Sequence, residues 1–192
     1  MRINGCPRGH FAPEKYRRGV IHLTAMKDIA REIFAKTLAR IDVRAMVRAH
    51  TALDGERFTL CGEAFDLSLY SRIYVIAFGK AALAMASAFH ERLGPRITAG
   101  LVVTNALPPQ HDLRDAKNFL LIEGGHPLPN RGSLEGAERI MDLLRTTDER
   151  TLVLFLVSGG GSALLEKPVE DSITLDDLRQ LHHALILSLI HI

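Results

Sequence analysis

Cysteine is scarce in this sequence of 192 residues, and long apolar runs are absent from it. The two cysteines, Cys6 and Cys61, are 55 positions apart and form no CxxC spacing, which argues against a disulfide scaffold and favours a reducing, cytoplasmic location. The longest uncharged stretches, 97–111 and 151–165, are 15 residues long, whereas a bilayer-spanning helix needs roughly 18. The amino terminus lacks the apolar region of a signal peptide. We therefore expect no membrane segment.

The net charge of +2 is unevenly distributed. Residues 1–25 contain five basic side chains and one acidic side chain, whereas the remainder contains 19 basic and 21 acidic side chains. The main part of the chain therefore has no basic surface of the kind that binds nucleic acid. We interpret Met26 as a plausible start and residues 1–25 as a doubtful basic extension, with a functional basic arm as the alternative.

The composition is that of a globular protein, with 47% apolar and 24% charged residues. From Met26 to Ile41, apolar residues recur at spacings of three and four, which predicts a helix. A second short helix is predicted over Val43–His50. Short strands are then expected around the turn at Cys61–Glu63, followed by a theme of apolar run, glycine turn and helix.

This theme predicts four buried strands at 72–78, 99–104, 119–123 and 151–157, and helices at 79–93 and about 133–144. Strands that are apolar on both faces and alternate with helices indicate a parallel sheet covered on both sides. The predicted fold class is therefore α/β, a mainly parallel open sheet layered between helices and Rossmann-like. Ligands of such sheets lie beyond the carboxyl ends of the strands, and three glycine turns fall there.

The first turn contains Gly79 and Lys80. A helix that starts after a glycine turn presents backbone N–H groups to anions, and Lys80 adds a positive charge, which suggests a phosphate or carboxylate site. The alternative is a solvent-exposed lysine at a helix start. The turn is not a Walker A loop, because Tyr74 stands where that motif has its first glycine and Ala81 follows the lysine.

The second turn, 158–163, reads SGGGSA. Three glycines (Gly159, Gly160 and Gly161) directly after a buried strand suggest unusual dihedral angles or a close approach to a ligand. With the hydroxyls of Ser158 and Ser162, they suggest an oxyanion or phosphate cradle, and a flexible linker is the alternative. A GxSxG nucleophile elbow is excluded, because position 164 is leucine.

The third turn holds His126 between Gly125 and Pro127. Two prolines fix this loop, so His126 is a candidate to hydrogen-bond a substrate carboxylate or phosphate or to transfer a proton; a structural role is equally open. No set of metal ligands emerges, and we predict no metal site in the chain. A dinucleotide site is also weakly supported, because the chain has no GxGxxG.

Three strings in this order, IYVIAFGKAALAMA, EGGHPLPNRGSLEGAERI and LVLFLVSGGGSALLEKP, resemble the amino-terminal domain of the glycerate 2-kinase family, whose members are sometimes labelled hydroxypyruvate reductase. The resemblance covers about residues 26–188. It implies ATP-dependent phosphorylation of D-glycerate on its 2-hydroxyl, with Mg²⁺ or another divalent cation, in a cleft between this domain and a carboxyl-terminal one. It also implies that Lys80 is catalytic, that 158–163 is the family's glycine loop and that His126 belongs to its GHPxP motif.

Two features depart from the family pattern. Asn130 stands where the family usually has aspartate, and residues 189–192 match nothing expected after Ser188. We therefore expect a truncated chain in which 26–188 form the kinase-like domain, 189–192 form an anomalous tail and the domain that completes the cleft is missing. Such a chain should be inactive alone. The alternatives are a catalytically silent ligand-binding or interaction domain and, with less support, a hydroxypyruvate reductase.

Overall fold

A computed structural model of the chain describes residues 14–189, except for the side chains of residues 14–25 and 39. The chain divides into two units, with the boundary between Asp42 and Val43. In chain order the elements are α1 (Glu14–Arg40), α2 (Val43–His50), β1 (Thr51–Asp54), β2 (Arg57–Leu60), β3 (Glu63–Asp66), β4 (Arg72–Phe78), α3 (Ala82–Leu93), β5 (Ala99–Thr104), β6 (Phe119–Glu123), α4 (Arg131–Leu144), β7 (Thr151–Val157), α5 (Gly161–Leu164) and α6 (Leu175–Leu189).

The first unit contains α1, which begins at Glu14 rather than near Met26. Residues 14–25 show no apolar periodicity, but an acidic residue at the helix start and several good helix formers favour the helix. The earlier residues, which include Cys6, lie outside the described part of the chain. Within residues 14–189, no helix is long and apolar enough to cross a membrane.

The second unit is built on a four-stranded parallel sheet with the spatial order β6-β5-β4-β7. This order confirms the predicted α/β fold, and all four strands have the predicted bounds. Numbered by their sequence among themselves, the strands lie in the order 3-2-1-4, which is the first part of the doubly wound arrangement. The chain reverses its direction of winding between β4 and β7. That junction is where open α/β sheets bind ligands.

The two faces of the sheet are covered by different elements. On one face, Val75 and Leu154 pack in a buried cluster with Ala86 and Phe89 of α3, and Phe58 from the antiparallel sheet β1-β2-β3 joins them. On the other face, a second cluster contains these buried residues: Ile76, Leu101, Val103, Ile122, Ile140 and Leu164. Both faces therefore have an apolar core, as the continuous apolar strands predict.

The strand β7 departs from that expectation at its carboxyl half. It lies at the edge of the sheet, and Phe155 and Val157 are 51% and 59% exposed. The apolar sequence of this strand predicts cover on both faces, and among the described residues that prediction is wrong for these two side chains. The neighbouring Leu154 and Leu156, on the opposite face, are buried as expected.

Candidate functional site

The loop that follows β4 and the loop that follows β7 are hydrogen-bonded to each other beyond the sheet. The backbone N–H of Lys80 donates to the carbonyl of Gly159 at 3.0 Å. The N–H of Ala81 donates to Oγ of Ser158 at 2.9 Å. Two sequence-predicted turns, about 80 residues apart, therefore form one structure at the switch point, and the Ser158 hydroxyl oxygen serves as an acceptor that holds it together.

Gly79 makes this junction possible. Its φ of +115° lies in the region that favours glycine. A Cβ at this position would lie 2.3 Å from Oγ and 2.5 Å from the carbonyl oxygen of Ser158. The close approach of the two loops therefore depends on the missing side chain.

The turn after Gly79 also sets where α3 begins. The sequence predicts a helix from Gly79, but Ala82 is the first helical residue. The amides of Lys80 and Ala81 bond to the loop after β7 instead of entering the helix. The backbone thus presents Lys80 just before the helix rather than within its first turn.

Gly160 brings the predicted residues into one cluster. Its φ is +87°, and a Cβ built on it would lie 3.1 Å from Nε2 of His126 and 3.3 Å from Cε of Lys80. The three glycine turns therefore converge, in agreement with their predicted position at the carboxyl ends of parallel strands. We call Lys80, His126 and the loop 158–162 the glycine-loop cluster.

The other two glycines of the loop have different surroundings. A Cβ on Gly161 would approach the ring of Phe78 to 3.0 Å, whereas a Cβ on Gly159 would meet nothing within 4 Å. Ser162 is exposed at the start of α5. Of the three, only Gly160 has a positive φ. The backbone therefore requires glycine mainly at the position nearest His126 and Lys80.

The loop that carries His126 is fixed by α4. Asn130 caps this helix, with its Oδ1 accepting from the N–H of Ser133 at 2.9 Å, and Oγ of Ser133 accepts from the N–H of Gly125 at 3.0 Å. The cap at Asn130 starts the helix two residues before the predicted start at Ser133. An amide oxygen thus performs the capping role at the position where the resembling family usually has aspartate. The His126–Pro127 peptide is cis.

The cluster carries a positive charge without a counter-ion of its own. Lys80 is exposed, and within residues 14–189 its ammonium group forms no ion pair. His126 is also exposed, and the same stretch supplies no hydrogen bond to its ring. A basic group beside close-approaching glycine backbone is suited to an anionic ligand.

The family resemblance implies a divalent cation. Residues 14–189 contain no group of three or more His, Cys, Asp or Glu side chains placed to hold a metal ion. The partly buried ring of His182, on α6, contacts the Glu166 carboxylate. The groups around Gly160 are a lysine and a histidine beside glycine backbone, and such a set is suited to an anion.

A pocket beside the glycine-loop cluster was not predicted from the sequence. A pocket of about 630 Å³ opens beside Lys80, between the start of α3 and the loop 105–115 that follows β5, and Arg44 of α2 also lines it. We call it the β5-loop pocket. The signal that could have found it is the position of a polar, proline-rich loop after a parallel strand.

Comparison with known proteins agrees with this arrangement. The family model described as a domain of unknown function, DUF4147, matches residues 29–192. A D-glycerate 2-kinase of Thermotoga maritima is 38% identical over 117 residues, covering 61% of this chain and 27% of that protein. A glycerate 2-kinase of Pyrococcus horikoshii is 31% identical over 154 residues, covering 80% of this chain and 33% of that protein.

A solved structure supports the same relationship. The crystal structure of a Pyrococcus horikoshii OT3 protein matches with a TM-score of 0.65 and 30% identity, over 85% of this chain and 35% of that one. The chain thus spans about a third of the length of the relatives that it matches. With the family model covering most of its length, the chain belongs to the DUF4147 family, the amino-terminal domain of glycerate kinases.

Proposed function

We propose that this chain forms one wall of the active site of an enzyme that transfers the γ-phosphoryl group of ATP to the 2-hydroxyl of D-glycerate. The observation that carries the proposal is the Lys80 side chain, which has no ion-pair partner among residues 14–189 and whose Cε lies close to Gly160, as the His126 ring does. The names of the relatives, D-glycerate 2-kinase and glycerate 2-kinase, support the substrate.

The chemistry of this transfer needs charge and position more than a protein nucleophile. The 2-hydroxyl oxygen of glycerate forms a bond to the γ-phosphorus, and the bond from that phosphorus to the oxygen bridging the β- and γ-phosphates breaks to release ADP. The hydroxyl proton passes to a base, for which His126 is the candidate, or to solvent. Lys80 would stabilise the negative charge spread over the transferred group. The lack of a side chain at Gly160 allows the phosphoryl group to approach both Lys80 and His126.

His126 faces the same space and supplies the substrate side of the cluster. Its ring can hydrogen-bond the glycerate carboxylate or accept the hydroxyl proton. Mg²⁺ commonly binds nucleotide phosphates through few protein ligands, and it would neutralise phosphate charge when bound.

The test is ligand binding by this chain, since it spans only about a third of its relatives' length and we expect binding without turnover from these residues alone. Titration calorimetry should detect MgADP and D-glycerate. Lys80→Ala should weaken MgADP binding about tenfold, the equivalent of losing one charge-assisted hydrogen bond of roughly 1.5 kcal/mol. The melting temperature should not fall, because Lys80 is exposed.

Lys117→Ala is the matched control, because Lys117 is an exposed lysine just before β6, at the opposite end of the sheet. It should leave MgADP binding unchanged. Equal binding of MgADP by Lys80→Ala and the unaltered chain would remove Lys80 from the proposed role. Binding of NADH in place of MgADP would support the reductase alternative.

A further inference from the structure

The β5-loop pocket adjoins the glycine-loop cluster, and Lys80 is common to both. The pocket is lined by Lys80 but not by His126 or Gly160, whereas Gly160 approaches Lys80 and His126. Lys80 therefore stands between two spaces. Because a kinase site must hold two ligands, each of these two spaces is a candidate to accept one of them.

The size of the pocket favours the larger ligand. At about 630 Å³, it falls in the range of about 300–1,000 Å³ that is typical of sites for drug-sized molecules and cofactors. A three-carbon acid would leave most of this volume unfilled. A nucleoside has dimensions that suit a pocket of this volume.

The lining also matches a nucleoside at one end and phosphate at the other. Leu83, Ala84 and Pro108 give apolar surface for a base, and the side-chain amides of Asn105 and Gln110 can both donate and accept hydrogen bonds at its edge. At the Lys80 end, the first amides of α3 lack an acceptor within the helix. Leu83 and Ala84, which line the pocket, are among these first residues of the helix.

The charges of the lining are nearly balanced apart from Lys80. Arg44 is paired with Asp112, and Arg114 lies in the lining together with Asp115. The excess positive charge is thus the Lys80 ammonium group, next to the glycine loop. A ligand with an uncharged body and an anionic tail fits this distribution better than a small acid that is charged throughout.

We propose that the β5-loop pocket binds the adenosine part of the nucleotide, so that its phosphates extend across Lys80 towards Gly160 and the hydroxy acid lies on the His126 side. This assignment rests on the proposed kinase function. It adds which of the two spaces takes the nucleotide and which residues recognise its base.

The test is a substitution that fills the pocket, after which the binding of two ligands is measured separately. Ala84→Phe places a ring in the pocket and should weaken MgADP binding by at least about tenfold, or 1.4 kcal/mol, while D-glycerate binding is unchanged. Ala184→Phe, at an exposed alanine of α6 that does not line the pocket, is the matched control and should bind both ligands as the unaltered chain does. Circular dichroism of each variant checks the fold.

A second variant separates recognition of the base from recognition of phosphate. Gln110→Ala should weaken MgADP binding about fivefold, as expected for one lost hydrogen bond of about 1 kcal/mol, and leave the binding of inorganic tripolyphosphate unchanged. Equal weakening of both probes would overturn the assignment of the base to this pocket.

The outcomes also distinguish a failure of the pocket assignment from a failure of the proposed kinase function. If Ala84→Phe binds MgADP normally, or loses D-glycerate instead, the pocket assignment is wrong and the kinase proposal stands. If the unaltered chain binds neither MgADP nor D-glycerate, the kinase proposal and the pocket assignment both fail.

Discussion

The two ends of the parallel sheet differ in how their polar groups are satisfied. At the amino end, the carboxylate of Asp148 accepts from Arg72 at 2.7 Å, from Oγ1 of Thr151 at 2.7 Å and from the N–H of Arg150 at 3.1 Å. At the carboxyl end, Lys80 and His126 share the space around Gly160, and neither has such a partner within residues 14–189. The polar groups at the amino end are paired with one another, whereas Lys80 and His126 are the groups that we propose bind a ligand.

This difference separates residues that hold the fold from residues that we propose bind the substrate. The hydrogen bond from Thr151, with those from Arg150 and Arg72, lowers the pKa of the Asp148 carboxyl below its ordinary value. The Asp148 carboxylate is therefore already paired with groups of the protein itself. At the carboxyl end, backbone groups and the Ser158 hydroxyl join the two loops, which leaves the side chains of Lys80 and His126 available. Substitutions at the two ends should therefore affect different properties.

The largest effect on stability is expected where the glycine backbone joins β4 to β7. Gly79→Ala places a methyl group 2.5 Å from the backbone oxygen of Ser158, at a φ of +115°. Strain and overpacking together should lower the free energy of unfolding by about 3 kcal/mol or more. Urea denaturation followed by circular dichroism measures this change.

Gly159→Ala is the control for this prediction, because it adds the same methyl group to the same junction. Its Cβ would meet nothing within 4 Å, and its φ lies outside the left-handed region. The urea midpoint of Gly159→Ala should match that of the unaltered chain. Similar midpoints for the two variants would show that the junction does not depend on Gly79.

Substitution of Gly160 should change the stability less than substitution of Gly79, but it should clearly weaken MgADP binding. In Gly160→Ala the methyl group lies 2.9 Å from Cδ2 of His126 and 3.3 Å from Cε of Lys80, and both are side chains that can move. The positive φ should cost about 1–2 kcal/mol. MgADP binding, measured by titration calorimetry, should fall about tenfold, because the methyl group occupies the position proposed for phosphate.

Gly62→Ala supplies the matched control for the backbone cost alone. Gly62 has a φ of +90° in the turn between β2 and β3, with nothing within 4 Å of its Cβ position. It should lose a comparable amount of stability and no MgADP affinity. If Gly160→Ala and Gly62→Ala bind MgADP equally well, the space at Gly160 does not receive phosphate.

Much of the carboxyl end could be predicted because its signals are local. The runs 72–78 and 151–157 are apolar without interruption, as expected for strands of a parallel sheet, and each leads directly into glycine. A strand that ends in a glycine turn identifies the edge where ligands bind without knowledge of the strand order. The position of Lys80, His126 and the loop 158–162 at this edge of the sheet was therefore predictable from the sequence, and their role stays a prediction.

What could not be predicted depends on partners distant in sequence. The true start of α3 at Ala82 follows from hydrogen bonds to Ser158 and Gly159, nearly 80 residues away. The strand β1, TALD, is too short to show a pattern and is defined by its antiparallel pairing with β2. The β5-loop pocket joins residues from three separate stretches, so no single motif indicates it.

The smallest effect is expected at the amino end, where Asp148→Asn removes a charge and keeps the side-chain shape. The lowered pKa of Asp148 means that its carboxylate stabilises the fold above about pH 4, the ordinary range of an aspartate in the unfolded chain. This contribution is lost as the pH falls further, through the lower pKa of the folded state. The urea midpoint of Asp148→Asn should thus be slightly reduced at pH 7, and the difference should shrink below pH 4.

Asp171→Asn completes this test, because Asp171 is exposed and has no hydrogen bond or ion pair within residues 14–189. Its urea midpoint should follow that of the unaltered chain at every pH. Both aspartate variants should bind MgADP normally, since neither residue lies in the β5-loop pocket or the glycine-loop cluster. A loss of MgADP binding in Asp148→Asn would mean that the two ends of the sheet are coupled, and the separation between holding the fold and binding the ligand would no longer stand.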